Sequence, residues 1–323
     1  MPFSERYRRQ AELVIRVLPF VGEQDCFALK GGTAINLFIR NMPRLSVDID
    51  LTYLPITDRA ASLSAIDLAM KRIAERTGRA LGAQVTQGMT RPEGAVTRLL
   101  VRVGRVQTKI EVTPVLRGCV YEPQIRRVTD AVEKAFGFAE ARVVSFADLY
   151  AGKIVAALDR QHPRDLFDVR DLLAQEGLDE RLRRAFLVYL VSHNRPMCEV
   201  LAPKRKTIGP EYRRGFSGMT ARPVTLGALK ATRESLIDAV VTRMPEAHRR
   251  FLLSFERGEA DWAIFGLPSV ADLPAVRWRQ QNLAAIGAEK RDQLVAKLEK
   301  VWSKSGKENR SRLRNGSKPA RKN

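Results

Sequence analysis

The chain reads as an α/β half built on a mixed sheet and followed by a helical half, and three observations carry that expectation. Residues 29–51, LKGGTAINLFIRNMPRLSVDIDL, pass from an apolar strand end through a Gly-Gly turn and a helical stretch into a strand with alternating acids. Short runs with a two-residue apolar period follow to about residue 115. From residue 146 onward the apolar spacing becomes helical. The expected division is therefore an α/β domain over 1–145, a mostly helical domain over 146–302, and a disordered basic tail over 303–323.

Taken in order, residues 5–18 place Ala11, Val14, Ile15 and Leu18 on one helical face, and 26–29 form a short buried strand. Gly31 and Gly32 turn the chain into a helix over 33–40, which Asn41 and Pro43 close. The strand over 46–53 follows, then an amphipathic helix over 59–80. Three strands come next, at 83–87, 95–103 and 106–115, the last two joined as a hairpin through Gly104-Arg105. Helices are expected over 146–160, 164–175, 179–191, 226–244 and 276–302. Residues 303–323 carry eight Lys or Arg against one Glu and almost nothing apolar, the composition of a disordered segment.

The strand at 46–53 holds the most telling chemistry. Alternate residues of a strand share a face, so Ser46, Asp48 and Asp50 stand together while Val47, Ile49 and Leu51 point to the core. Two adjacent carboxylates repel unless a cation neutralises them, and carboxylate oxygens are the ligands Mg²⁺ prefers. Glu111, in Lys109-Ile110-Glu111-Val112, is the only comparable third acid. It is either a metal ligand or half of a surface pair with Lys109, which shares its face. Gly31, Gly32 and Thr33 lie where strand becomes helix, so their N–H groups can face a phosphate. Together these parts suit nucleotidyl transfer with two metal ions.

A third constellation is AGKIVAALDRQHPRDLFDVRDLL. Lys153 and Arg160 share a helix face with small Ala156 and Ala157 between them, room enough for a phosphate. After Pro163, Asp165 and Asp168 share the polar face of the next helix, serving either the site or the helix itself. The three histidines show no metal-ligand spacing and read as surface or core residues. Neither GxxxxGK[ST] nor GxSxG occurs, which argues against a P-loop NTPase and a serine hydrolase.

Charge indicates the partner. The 323 residues carry a formal net charge of +20 with a pI near 10.4, and removing the tail leaves the chain strongly basic. Such an excess favours a polyanion, with nucleic acid foremost. Three scattered cysteines without CxxC pairs suit a reducing cytoplasm. The charged start MPFSERYRRQ is unlike a signal peptide, and no apolar run is long enough to span a bilayer.

The motifs resemble those of the AbiEii/AbiGii toxin family of nucleotidyltransferases within the DNA polymerase β superfamily. Leu29-Lys30-Gly31-Gly32-Thr33-Ala34 with Arg44-x-Ser46-x-Asp48-Ile49-Asp50-Leu51 is similar to the family's first motif, and Lys109-Ile110-Glu111-Val112 to its second. Lys153-x-x-Ala156-x-x-x-Arg160 and Arg164-Asp165-Leu166-x-Asp168 are similar to its third and fourth. The resemblance implies a polymerase β-like domain and a helical domain, in a toxin of a toxin–antitoxin or phage-defence pair. It further implies a Mg²⁺ site at Asp48 and Asp50, with Glu111 standing where the superfamily more often has Asp. A nucleotide would be held by Lys30, Gly31, Gly32, Thr33, Arg44, Ser46, Lys153 and Arg160, with Asp165 and Asp168 in support. The expected co-substrate is an NTP, the acceptor an RNA such as the tRNA 3′ end, and the further partner an antitoxin.

Overall fold

The structure is a computed structural model that describes residues 3–315, with side chains through residue 303. Helix α1 (Glu5–Gly22) leads to β1 (Phe27–Lys30), α2 (Gly31–Ala34) and β2 (Asp48–Tyr53). The helix expected over 33–40 forms, but its second half, Ile35–Ile39, is wound in the wider π pattern, with Arg40 N–H donating to Ile35 O at 2.7 Å. Helix α3 (Arg59–Leu81) starts at Asp58, whose carboxylate accepts from Ala61 N–H, and stops at Gly82 in the left-handed region.

Strands β3 (Gln84–Met89), β4 (Val96–Val103) and β5 (Val106–Arg117) form the expected meander, with Gly104 at φ 56° in the tight turn. Then come β6 (Gln124–Arg127), α4 (Asp130–Phe136) and β7 (Glu140–Val143). The seven strands stand in the order β3-β4-β5-β2-β1-β7-β6. Central β2 runs antiparallel to β1 and parallel to β5, so the sheet is mixed as expected. One face is apolar: Ile49, Leu51, Leu99, Val101, Ile110 and Val112 are all buried, and α1 and α3 cover it. Each such side chain contributes about 1.5–3 kcal/mol by leaving water. The polar side chains of β2 and β5 therefore point to the opposite face.

The helical half comprises α5 (Phe146–Asp159), α6 (Pro163–Gln175), α7 (Glu180–Val191), α8 (Met197–Leu201), α9 (Gly209–Gly215) and α10 (Leu226–Ile237). It continues through α11 (Glu246–Arg257), α12 (Trp262–Phe265), α13 (Pro274–Ala285) and α14 (Ala288–Asn315). The single helix expected over 276–302 is thus two, broken at Ile286-Gly287. Residues 303–315, expected in the disordered tail, continue α14. Buried Val295, Leu298 and Val301 anchor that helix, and its charged remainder holds no proline to stop it. Residues 316–323 of the expected tail lie outside the described residues.

The two halves interlock before the aspartate strand. Leu45 N–H donates to Met219 O, Ala221 N–H to Pro43 O and Ser4 N–H to Gly218 O. A lone β-bridge pairs Arg44 with Thr220. The loop entering β2 is therefore held by a segment from the helical half.

Candidate active site

The register of β2 sets the site. Asp50 pairs with Lys30 on β1 and with Glu111 on β5, and Glu111 with Arg98 on β4. Lys30, Asp50, Glu111 and Arg98 thus form one row across four strands, and Asp48 lies beside Lys109 in the next row. Burial raises the Asp48 carboxyl above its usual range and the charge of Asp50 adds to it, while Lys109 and Arg164 offset part of the effect. An Arg164 guanidinium nitrogen stands 3.7 Å from Asp48 Oδ2. A carboxylate pair destabilised by its own charge and still accessible from one side is a donor set suited to a divalent cation.

Gly31 closes the other side of Asp50. Its φ of 73° favours glycine, and a Cβ there would lie 2.5 Å from Asp50 Oδ2. At Gly32 a Cβ would meet Arg44 Nη2 at 2.6 Å and Ser46 Oγ at 3.0 Å. Thr33 Oγ1 donates to Asp48 O, tying the turn to the strand. Lys30, Gly31, Asp50, Glu111, Lys153 and Arg160 line a cleft of about 470 Å³ between the sheet and α5. Lys30 Nζ donates to Thr113 Oγ1 at 3.4 Å, and burial holds its ammonium below the usual range against the attraction of Asp50.

Glu111 is held between two cations. Lys109 Nζ lies 2.6 Å from Oε2 and Arg98 Nη2 2.8 Å from Oε1. Burial opposes ionisation of Glu111, yet these two cations hold its carboxyl below the usual range. Among the described residues no three His, Cys, Asp or Glu side chains form a metal-binding group. The Lys109 pair is present, and Arg98 on the neighbouring strand adds a second cation on the same carboxylate.

Arg44 and Lys153, expected at the nucleotide, and Asp165 and Asp168, expected in support, are buried together. Arg44 is 1% exposed and makes a bidentate pair with Asp168, Nε to Oδ1 at 2.7 Å and Nη2 to Oδ2 at 2.6 Å. Asp165 and Asp168 flank Lys153, whose Nζ is 2.9 Å from Asp165 Oδ1 and 3.1 Å from Asp168 Oδ2. Lys153 borders the cleft, but its charge is spent on these acids. Arg160 closes the ladder with two contacts to Asp165 while keeping an exposed flank at the cleft. Helical spacing showed which residues share a face but not that α5 and α6 turn those faces toward each other. The ladder reaches the glycine turn through Asn36, whose Nδ2 donates to Gly32 O and to Asp168 Oδ1.

Sequence reasoning overlooked Asn36, Thr113, Asp148, Asp159, Tyr189 and His193, the last five of which line the same cleft. No local pattern marked them, since, apart from Asp148 and Asp159 on α5, they come from separate parts of the chain. His162 caps α6, its Nδ1 accepting from Arg164 N–H, and burial with the nearby Arg164 charge lowers its pKa to about 4. It is a neutral structural cap.

A glycine turn set against paired strand acids on a mixed sheet, opening to a cleft under a helical half, defines a nucleotidyltransferase. The chain belongs to the AbiEii toxin family: the family described as "Nucleotidyl transferase AbiEii toxin, Type IV TA system" matches residues 12–282. Its fold is similar to that of the MenT4 nucleotidyltransferase toxin of Mycobacterium tuberculosis H37Rv. That match has a TM-score of 0.56 at 19% sequence identity, over 86% of this chain and 92% of that one. A comparison with curated proteins gives no match.

The buried ladder yields a stability prediction. Asp168→Ala leaves Arg44 and Lys153 short of a carboxylate in the interior, and chemical denaturation is expected to show a loss of about 3–5 kcal/mol. Burial opposes ionisation of Asp165 and Asp168, but their cations outweigh it and hold both below the ordinary carboxyl value of 3.8. The stability they contribute is therefore present above that value and lost as pH falls toward their folded values. Stability measured against pH is expected to fall less steeply at the acid end in Asp168→Asn than in the wild type. Equal acid slopes would contradict the ladder.

Proposed function

We propose that the protein transfers a nucleoside monophosphate from an NTP to an RNA 3′ end, with the tRNA acceptor end as the first candidate, and that it acts as the toxin of a pair with an antitoxin protein. The observation that carries the reading is the placement of Asp48 and Asp50 on one face of β2, with Asp50 set against Gly31 and lining the cleft. In the reaction the 3′-hydroxyl gives up its proton to solvent and its oxygen bonds to the α-phosphorus, the bond from that phosphorus to the bridging oxygen of the β-phosphate breaks, and pyrophosphate leaves. Asp48 and Asp50 fit Mg²⁺ and would hold it. A bound divalent ion supplies activation of the attacking oxygen and neutralisation of the leaving group.

The chain's own residues do the remaining work. The turn at Gly31, Gly32 and Thr33 brings backbone close to the triphosphate without a side chain in the way. Lys30, within the cleft, places a cation near the phosphate oxygens, and the exposed flank of Arg160 adds a second. Glu111 would join the metal set only by releasing Lys109 and Arg98. The net charge of +20 supports an RNA acceptor over a small neutral or cationic one. No described helix is long and apolar enough to cross a membrane, and we place the reaction in the cytoplasm.

Asp50→Ala, and Asp48→Ala likewise, is expected to abolish labelled-NTP incorporation into cellular RNA and relieve toxicity with the thermal melt intact. Incorporation at the wild-type rate by folded Asp50→Ala would overturn the mechanism. Glu111→Gln tests the third acid separately. A loss of a hundredfold or more, on the order typical of a catalytic electrostatic contact, would assign it to the metal, and near-normal turnover would leave it as a partner of Lys109 and Arg98. RNA affinity is expected to fall with salt at a log–log slope of roughly −0.7 per phosphate contact. A flat dependence would favour a protein or small-molecule acceptor.

A further inference from the structure

The cleft continues past the carboxylates to an end that phosphate chemistry does not use. Gly152 and Asp159 of α5 line it on one side, and Tyr189 of α7 with His193 just beyond that helix on the other. The wall there is rigid. A Cβ at residue 152 would lie 3.2 Å from the Tyr189 ring, so glycine is what lets the ring pack against α5. The Tyr189 hydroxyl donates to Asp148 Oδ1 at 3.2 Å. Asp148 is buried and fixed in turn by Ser145 Oγ and by the N–H groups of Val120 and Tyr121.

At the far end two polar groups face each other. Asp159 Oδ1 accepts from Arg195 Nη1, while Oδ2 lies 3.7 Å from His193 Nε2, beyond hydrogen-bond reach. The Asp159 side chain is 27% exposed, so Oδ2 has acceptor capacity open to the cleft. His193 Nδ1 accepts from Arg195 N–H at 3.2 Å, which puts the proton of the neutral ring on Nε2. Burial holds that imidazole below its usual pKa and therefore neutral. An acceptor-only carboxylate and an imidazole N–H thus stand side by side in the cleft that the Tyr189 ring also lines. A planar heterocycle with a donor next to an acceptor on one edge fits that arrangement.

Building on the nucleotidyltransferase reading, we infer that this end of the cleft holds the base of the incoming nucleotide and that Asp159, with His193 beside it, selects a base bearing an exocyclic amino group. Cytosine, adenine and guanine offer Asp159 an amino N–H. Uracil flanks its single N–H with two keto oxygens, both of which the carboxylate repels. A volume of about 470 Å³ lies within the range of small-molecule pockets and suits a nucleotide better than a bare triphosphate.

The test titrates the full-length protein with CTP, ATP, GTP and UTP separately, by calorimetry, and measures competitive incorporation of the four into RNA. UTP is expected to bind about tenfold or more weakly than the best of the other three, the scale of one base-reading contact. Asp159→Asn replaces an acceptor-only group by one that can donate. In that variant the preference against UTP is expected to shrink several-fold through KM rather than kcat, with the melting temperature as the check on folding. The wild-type titration decides even if the variant is unstable. Equal binding of all four NTPs with transfer intact would overturn this inference alone, as would an unchanged preference in folded Asp159→Asn. Failure of any NTP to bind would overturn the nucleotidyltransferase reading and this inference with it.

Discussion

The structure depends on the buried ionic ladder Arg44–Asp168–Lys153–Asp165–Arg160. Three cations and two carboxylates alternate, with the carboxylates fully buried and every carboxylate oxygen in contact with a cation. Bringing such charges out of water is costly, and only complete pairing offsets it. The ladder therefore permits one arrangement of α5, α6 and the loop before β2. Through Asn36 and through Arg44 beneath Gly32, that arrangement fixes the glycine turn, and the turn in turn confines Asp50. The geometry of the carboxylate pair is set from below by the ladder's buried charges.

How much of this the sequence disclosed follows from what each signal measures. The two-residue period of 46–53 gave the face on which Asp48 and Asp50 stand, because a strand's side chains alternate whatever it packs against. The hairpin through Gly104 and the helices α5 to α7 were legible for the same local reason. Strands β6 and β7 were not: four residues each, with sequences QIRR and EARV, they carry too little apolar pattern to be noticed. Their pairing is decided by the sheet edge beside β1.

Site chemistry followed the same divide. Residues contributed by one local motif, Gly31 with Asp48 and Asp50, were found together and stand together. Arg44, expected at a nucleotide, pairs with Asp168, one of the two acids expected in support, since a charge pattern cannot say whether its partner is a phosphate or another side chain. Glu111 could be read either way, and Arg98, thirteen residues upstream on a neighbouring strand, is what the local pattern omitted. Tyr189 and Asp159 lay beyond reach because the cleft joins them only after α5 and α7 have packed.

The bridge between Arg44 and Thr220 has a consequence for the order in which the chain is made. The glycine turn emerges early in synthesis, but Asp168, which clamps Arg44, lies 124 residues downstream of it, and the pairing segment at Met219 to Ala221 comes later still. A nascent chain on the ribosome holds both aspartates of β2 without the supports that position them. The carboxylate pair therefore gains the contacts that support it only after the helical half has been made.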